Sequence, residues 1–217
     1  MSSSEVFSEQ AVIETAEQIR NATKRYEQLF VDLQSQISLD IKDLDSPVQI
    51  MSVCRKWTDD ALIFFSNNFP LHRKTDCEKG CSHCCFLPVT CPPQVIADIA
   101  IYLKNTLSHQ ELTQLQQLLQ KYVLKQESSQ HRLKCPFLNQ HDLCSIYEYR
   151  PLACRSFTSP DQQLCLASVR DGNTVTQDPV QHRIFMAATS ALVNLCKQNG
   201  LPYQQVKFIP SLANVLE

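Results

Sequence analysis

The decisive stretch is "DCEKGCSHCCFLPVTC", residues 76–91, which sets Cys77, Cys81, Cys84, Cys85 and Cys91 within fifteen positions. A disulfide staple, a metal site and a reactive thiol compete to explain it. Scattered buried cysteines explain it badly, because charged and polar residues separate the sulfurs of "CEKGCSHCC". The buried-hydrophobe reading does suit Cys54, Cys91 and Cys196.

The surrounding chain narrows the choice. It has 217 residues, 43% of them apolar, enough for one fair-sized core without disulfide reinforcement. The opening "MSSSEVFSEQAVIETAEQIR" is polar and acidic, unlike a secretory signal. No apolar run reaches the roughly 18 residues of a membrane span. We therefore expect a cytoplasmic chain with no membrane partner, where stable disulfides are rare and metal or redox chemistry is favoured. Net charge is −2, from 20 basic and 22 acidic residues, so the basic footprint of a nucleic-acid binder is missing. Three glycines leave little material for a phosphate-binding loop.

Working outward, the fold class is mainly α: a helical domain with irregular cysteine-rich loops forming a metal site. Ile19, Tyr26, Leu29, Leu33, Ile37, Ile41 and Leu44 recur at helical spacing. They predict one long amphipathic helix over residues 5–45, or two joined near Ser38. Its length suits packing across other helices, or pairing with a protein partner or a second copy. Residues 46–70 continue as helix from Pro47, with Cys54 buried beside Trp57, Leu62 and Phe65 and a boundary at Pro70. Residues 71–91 read as loop, with an extended piece at "FLPVT". Helices follow from "CPPQVIADIAIYLKNTL" and from residues 108–130, where Ser108 and Glu111 have capping-box spacing and Leu112, Leu115, Leu119 and Tyr122 give an apolar face. Residues 131–170 read as cysteine-bearing loop and short turns. A last helix closes at Gly200, and residues 201–217 form a packed tail. The divisions expected are 1–70, helical; 71–170, cysteine cluster; and 171–217, helix and tail, all within one compact body.

The second cysteine set is Cys135, Cys144, Cys154 and Cys165. Thiolates are soft ligands, and four of them suit tetrahedral zinc or the corners of a [4Fe-4S] cluster. The eight candidates, Cys77, Cys81, Cys84, Cys85, Cys135, Cys144, Cys154 and Cys165, exceed the needs of a single site. The count permits one site, two, or a cluster with spectators. We favour one, with Cys77, Cys81, Cys85 and Cys154 ahead of the rest. Arg150 and Arg155 flank Cys154; they either offset the charge of a thiolate centre or form ordinary carboxylate pairs. Tyr147, Tyr149 and Phe157 read as an apolar wall. His83 could replace a thiolate on zinc, though an exposed loop histidine is the simpler reading. A catalytic thiol would need a base and an orienter, and no such signature is present. Cys81-Ser82-His83-Cys84 has redox C-x-x-C spacing without a clear strand–helix context.

These pieces resemble the cysteine-cluster family of the YkgJ type, described as zinc- or iron-chelating. Its pattern is met by Cys77, Cys81, Cys84 and Cys85; by Cys135, Pro136 and Leu138; by Cys144, Ile146 and Tyr147; and by Arg150, Pro151, Cys154, Arg155 and Phe157. The resemblance covers about residues 75–160 and implies a zinc or iron cofactor; Cys165 lies where a further family cysteine sometimes falls. A related cluster occurs in enzymes that methylate flagellin lysines with S-adenosylmethionine. The C-x3-C-x2-C spacing is also similar to radical S-adenosylmethionine enzymes. Against that stand the fourth cysteine that follows immediately and the lack of repeated strand–helix units. Two functions therefore compete: a metal-binding protein whose site is structural or serves metal handling or sensing, and an iron–sulfur enzyme or electron carrier.

Overall fold

In a computed structural model that describes residues 8–68, 75–77, 80–128 and 132–217, the first amphipathic pattern folds as one helix, α1 (Glu9–Ile41). Ser8 caps it by accepting from the Ala11 N–H at 3.1 Å. The helix runs unbroken through Ser38, whose hydroxyl donates to the Gln34 carbonyl one turn back. Its inward face departs from the expected stripe. Phe30, Ile37 and Ile41 are buried, whereas Ile19 is 62% and Leu29 48% exposed. The difference is one of length. At 1.5 Å per residue α1 extends about 50 Å, and a 20-residue partner covers only about 30 Å of it. That partner is α7 (Pro179–Gln198), packed along the C-terminal part of α1.

Pro47 opens α2 (Pro47–Asn68), as its fixed φ and missing N–H favour at a first turn. Ile50, Met51 and Cys54 face the core. The boundary expected at Pro70 lies outside the described residues. A 3₁₀ turn (His83–Phe86) and strand β1 (Thr90–Cys91) precede α3 (Pro93–Thr106). The Ser108–Glu111 capping box is formed at the start of α4 (His109–Ser128). Glu111 accepts from the Ser108 N–H at 2.8 Å, and Ser108 Oγ accepts from the Glu111 N–H at 3.3 Å.

Residues 131–170 contain more helix than expected, a correction to the loop reading. After a 3₁₀ turn (Tyr147–Tyr149) come α5 (Leu152–Ser156) and the ten-residue α6 (Gln162–Asp171). Asp161 caps α6 through the N–H groups of Gln163 and Leu164, and Gly172 ends it at φ +73°. The tail is likewise more regular than expected. Strand β2 (Val206–Lys207) pairs antiparallel with β1, Thr90 opposite Lys207 and Cys91 opposite Val206. Helix α8 (Phe208–Leu216) then buries Phe208, Ile209, Leu212, Ala213 and Leu216 against α3 and α4.

The main core joins α1, α2, α3, α4, α7 and α8, with Ile37, Ile99, Leu119, Leu192 and Leu212 fully buried. The chain is mainly helical, as expected. Among the described residues no helix is long and apolar enough to cross a membrane. Helix α5 packs on α2 and α7, and α6 packs on the His83–Phe86 turn.

Candidate metal centre

Residues 135–145 form a small hairpin-like turn. Leu138 bridges Cys144 antiparallel, and Ser145 N–H donates to the Phe137 carbonyl at 2.8 Å. The sequence "NQHD" closes it. Asn139 Oδ1 accepts from the N–H groups of His141 (2.8 Å) and Leu143 (3.0 Å), and Asp142 takes the left-handed conformation at φ 57°. Asn and Asp tolerate such turns because their short side chains hydrogen-bond locally. Cys135 and Cys144 are thereby set side by side. Each sulfur accepts a backbone N–H from two residues on, Phe137 for Cys135 and Ile146 for Cys144. Such bonds favour thiolate over thiol.

Two further cysteines approach this pair. The Cys135 N–H donates to the Cys85 carbonyl at 2.9 Å, which fastens the hairpin to the 83–86 turn. Cys84, Cys135, Cys144 and Cys154 all feel one another electrostatically. Burial is the main influence on three of them and pushes the Cys135 thiol up to about 11. Cys84 is raised chiefly by its hydrogen bond to the Cys85 side chain.

Arg150 opposes these shifts at Cys84, Cys144 and Cys154. Its guanidinium lies 3.9 Å from the centroid of the Tyr147 ring, and its buried Nε has no hydrogen-bond partner. An unpaired buried donor on a guanidinium that acts electrostatically on three of these sulfurs is compatible with a negatively charged thiolate centre. Arg155 instead makes a carboxylate pair. It binds both Asp59 oxygens (2.9 and 2.8 Å) and the Glu148 carbonyl (2.6 Å), tying α5 to α2. Tyr149 stacks on Tyr102 at 3.8 Å, while Tyr147 is 53% exposed beneath Arg150.

The remaining candidates gather around Ser159, which is buried. Its N–H donates to Cys77 Sγ at 3.4 Å, and its side chain hydrogen-bonds Cys165. Asp76 N–H donates to the Ser159 carbonyl at 3.2 Å, and Asp76 Oδ2 accepts from Gln162 N–H at 3.2 Å. Cys77 feels Cys81, Cys84 and Cys165 electrostatically. Burial raises both the Cys77 and Cys165 thiols. Cys84 and Cys165 line a narrow crevice with His83, Leu87, Phe157, Ser168 and Val175. The half-buried His83 opens the 3₁₀ turn.

Electrostatic coupling runs from Cys77, Cys81 and Cys165 through Cys84 to Cys85, Cys135, Cys144 and Cys154, whereas Cys54, Cys91 and Cys196 are buried in the core. Among the described residues no three potential ligands stand close enough together to form a finished ion site. The donor set consists of gathered thiols, not a closed coordination shell. Sequence reasoning missed Ser159. The signal was present in "TSPDQQLC", where Asp161 followed by helix formers marks a helix start and sets Cys165 in its first turns.

Residues 76–177 match the CxxCxxCC family, described as a putative zinc- or iron-chelating domain. That segment is similar to this family. No curated protein and no solved structure matches the chain. The CxxCxxCC segment contains all eight candidate cysteines and Cys91, and excludes Cys54 and Cys196. The family's description supports metal binding in general.

Proposed function

We propose that this chain holds its metal on cysteine thiolates as a structural clamp that also serves metal handling or sensing, with zinc the preferred ion. The support is the match to a zinc- or iron-chelating family over a segment that contains Cys84, Cys135, Cys144 and Cys154, together with the electrostatic coupling among these four cysteines from three separate pieces of chain. A tetrathiolate site closes loops that local structure alone would hold weakly, and its binding energy becomes folding energy. The bound ion would supply charge and a fixed geometry for the sulfurs. The hairpin orients Cys135 and Cys144, α5 presents Cys154, and Arg150 lends positive charge.

The iron–sulfur reading is kept for one reason: Arg150 would equally offset the negative charge of a cluster. Anaerobic purification, metal analysis and a visible spectrum separate the two. A colourless, zinc-containing protein is expected. Brown colour with iron and acid-labile sulfide would overturn the zinc assignment, and a folded, reduced protein free of both metals would overturn the proposal.

A further inference from the structure

Helix α1 outruns the helices that cover it. Its inward stripe has a seven-residue rhythm, with Tyr26 and Leu33 half-buried and Phe30 and Ile37 buried. Arg183 on α7 marks where the cover stops: it pairs with Glu27, and its guanidinium lies 5.0 Å from the Phe30 ring centroid. Helix α2 ends near the same level, where Phe65 stacks on Phe30 at 5.6 Å. Towards the N-terminus from there, residues 12–25 are exposed without exception. The rhythm continues past the cover. One and two heptads back along the stripe stand Val12, Ala16, Ile19 and Thr23, with Val12 53% and Ile19 62% exposed. The Thr23 hydroxyl donates to the Ile19 carbonyl at 2.9 Å, so it makes no polar demand on a neighbour. Helices draw most of their stability from packing an apolar face, and this projecting arm has the face without the packing.

We infer that the projecting part of α1 pairs antiparallel with the same part of a second copy, forming a two-fold dimer seam. The inference does not depend on metal binding. Charge selects both the partner and its direction. Residues 9–18 carry Glu9, Glu14 and Glu17 and no base, whereas residues 19–26 carry Arg20, Lys24 and Arg25 and no acid. Among the described residues none of these six is in an ion pair. A parallel copy would set acid against acid and base against base. An antiparallel copy, centred between Glu17 and Gln18, sets the acidic half of each arm against the basic half of the other. The same register faces Val12 with Thr23 and Ala16 with Ile19, so a large side chain meets a small one in every layer, as interdigitated packing requires. Parallel pairing would instead face Ala16 with Ala16 and Ile19 with Ile19. The length also fits. At 1.5 Å per residue the arm over residues 9–25 spans about 25 Å, so each tip ends where the other copy's α1 enters its own body. The pairing is self-complementary and closes on two copies.

The test is sedimentation equilibrium of the full-length chain over a range of concentrations, kept reduced so that thiol cross-links add nothing. The wild type should move toward twice the chain mass as concentration rises. Ile19→Lys should weaken association by roughly tenfold or more, the scale of one buried aliphatic side chain. Its urea unfolding at dilute, monomeric concentration should match the wild type, because Ile19 is exposed in the single chain. Glu14→Lys with Glu17→Lys should weaken association, as should Arg20→Glu with Lys24→Glu, and the four changes together should restore it. A wild type that stays monomeric at every concentration overturns the inference and leaves the face to a different protein. So does a dimer that Ile19→Lys leaves intact. A dimer sensitive to Ile19→Lys but indifferent to both charge reversals, or not restored by the four together, overturns the antiparallel pairing.

Discussion

Deleting residues 206–217 removes β2 and α8, and the expected outcome is loss of the cooperative fold, including the cysteine-bearing side. Phe208, Ile209, Leu212 and Leu216 are each no more than 7% exposed. At about 1.5–3 kcal/mol for each fully buried large side chain, they contribute roughly 6–12 kcal/mol. That is comparable to the entire stability of an ordinary domain, about 5–15 kcal/mol. The loss also uncovers the faces of α3 and α4 against which α8 packs. The graded version is Leu212→Ala, where a fully buried leucine truncated to alanine should cost about 2–5 kcal/mol. Urea unfolding followed by circular dichroism, with apo and zinc-loaded samples compared, measures both. A truncated chain with a sigmoidal transition near the wild-type midpoint would refute the argument, as would a Leu212→Ala cost below about 1 kcal/mol. The same reasoning predicts that residues 76–177 alone, though they match the family, do not fold stably. In the full chain α3 packs on α2 and α8, and both lie outside that segment.

Asp98, fully buried, pairs with Arg55, whose guanidinium lies 4.9 Å from the Tyr149 ring centroid. Asp98→Ala should cost about 3–5 kcal/mol in urea unfolding by leaving Arg55 unpaired, while Arg55→Met with Asp98→Leu should cost much less. Burial raises the Asp98 carboxyl despite Arg55, so its contribution is fully present below the ordinary value of 3.8 and is lost as pH rises through the higher folded value. Stability measured against Asp98→Asn across that window should show the wild type losing ground with rising pH. Ser108→Ala removes one side of the capping box and should cost about 1 kcal/mol in the same assay. Zinc uptake should release protons to a pH indicator and weaken on acidification. Burial holds Cys135, Cys144 and Cys154 as thiols at neutral pH, and each must lose its proton to bind.

The helices were legible wherever apolar periodicity met a capping signal: α2 from Pro47, α4 from Ser108 and Glu111, α7 with Gly200 just beyond its end. Periodicity alone misjudged α1. It cannot say how much of a helix has a neighbour, so Ile19 was placed on a buried face that it does not reach. Helix α6 was hidden because its composition, "QQLCLASVRD", is half polar and only Asp161 announces it. At the candidate metal centre the two clusters of cysteines were readable from spacing. Their grouping was not, because it depends on where Ser159 and the 135–145 turn carry the sulfurs in space. The split between Arg150 and Arg155 was equally invisible, since it is Asp59, some ninety residues away in sequence, that claims Arg155.

The pairing of β1 with β2 has a consequence for biosynthesis. Residues 90–91 find their partners only at 206–207, more than a hundred residues later. At about 5–20 residues per second, every cysteine of the CxxCxxCC segment leaves the ribosome several seconds before that ladder can zip and α8 can seal the interior. During that interval the sulfurs meet the cellular thiol pool unshielded. Metallation by a donor present while the nascent chain is still growing would guard them against oxidation and mispairing.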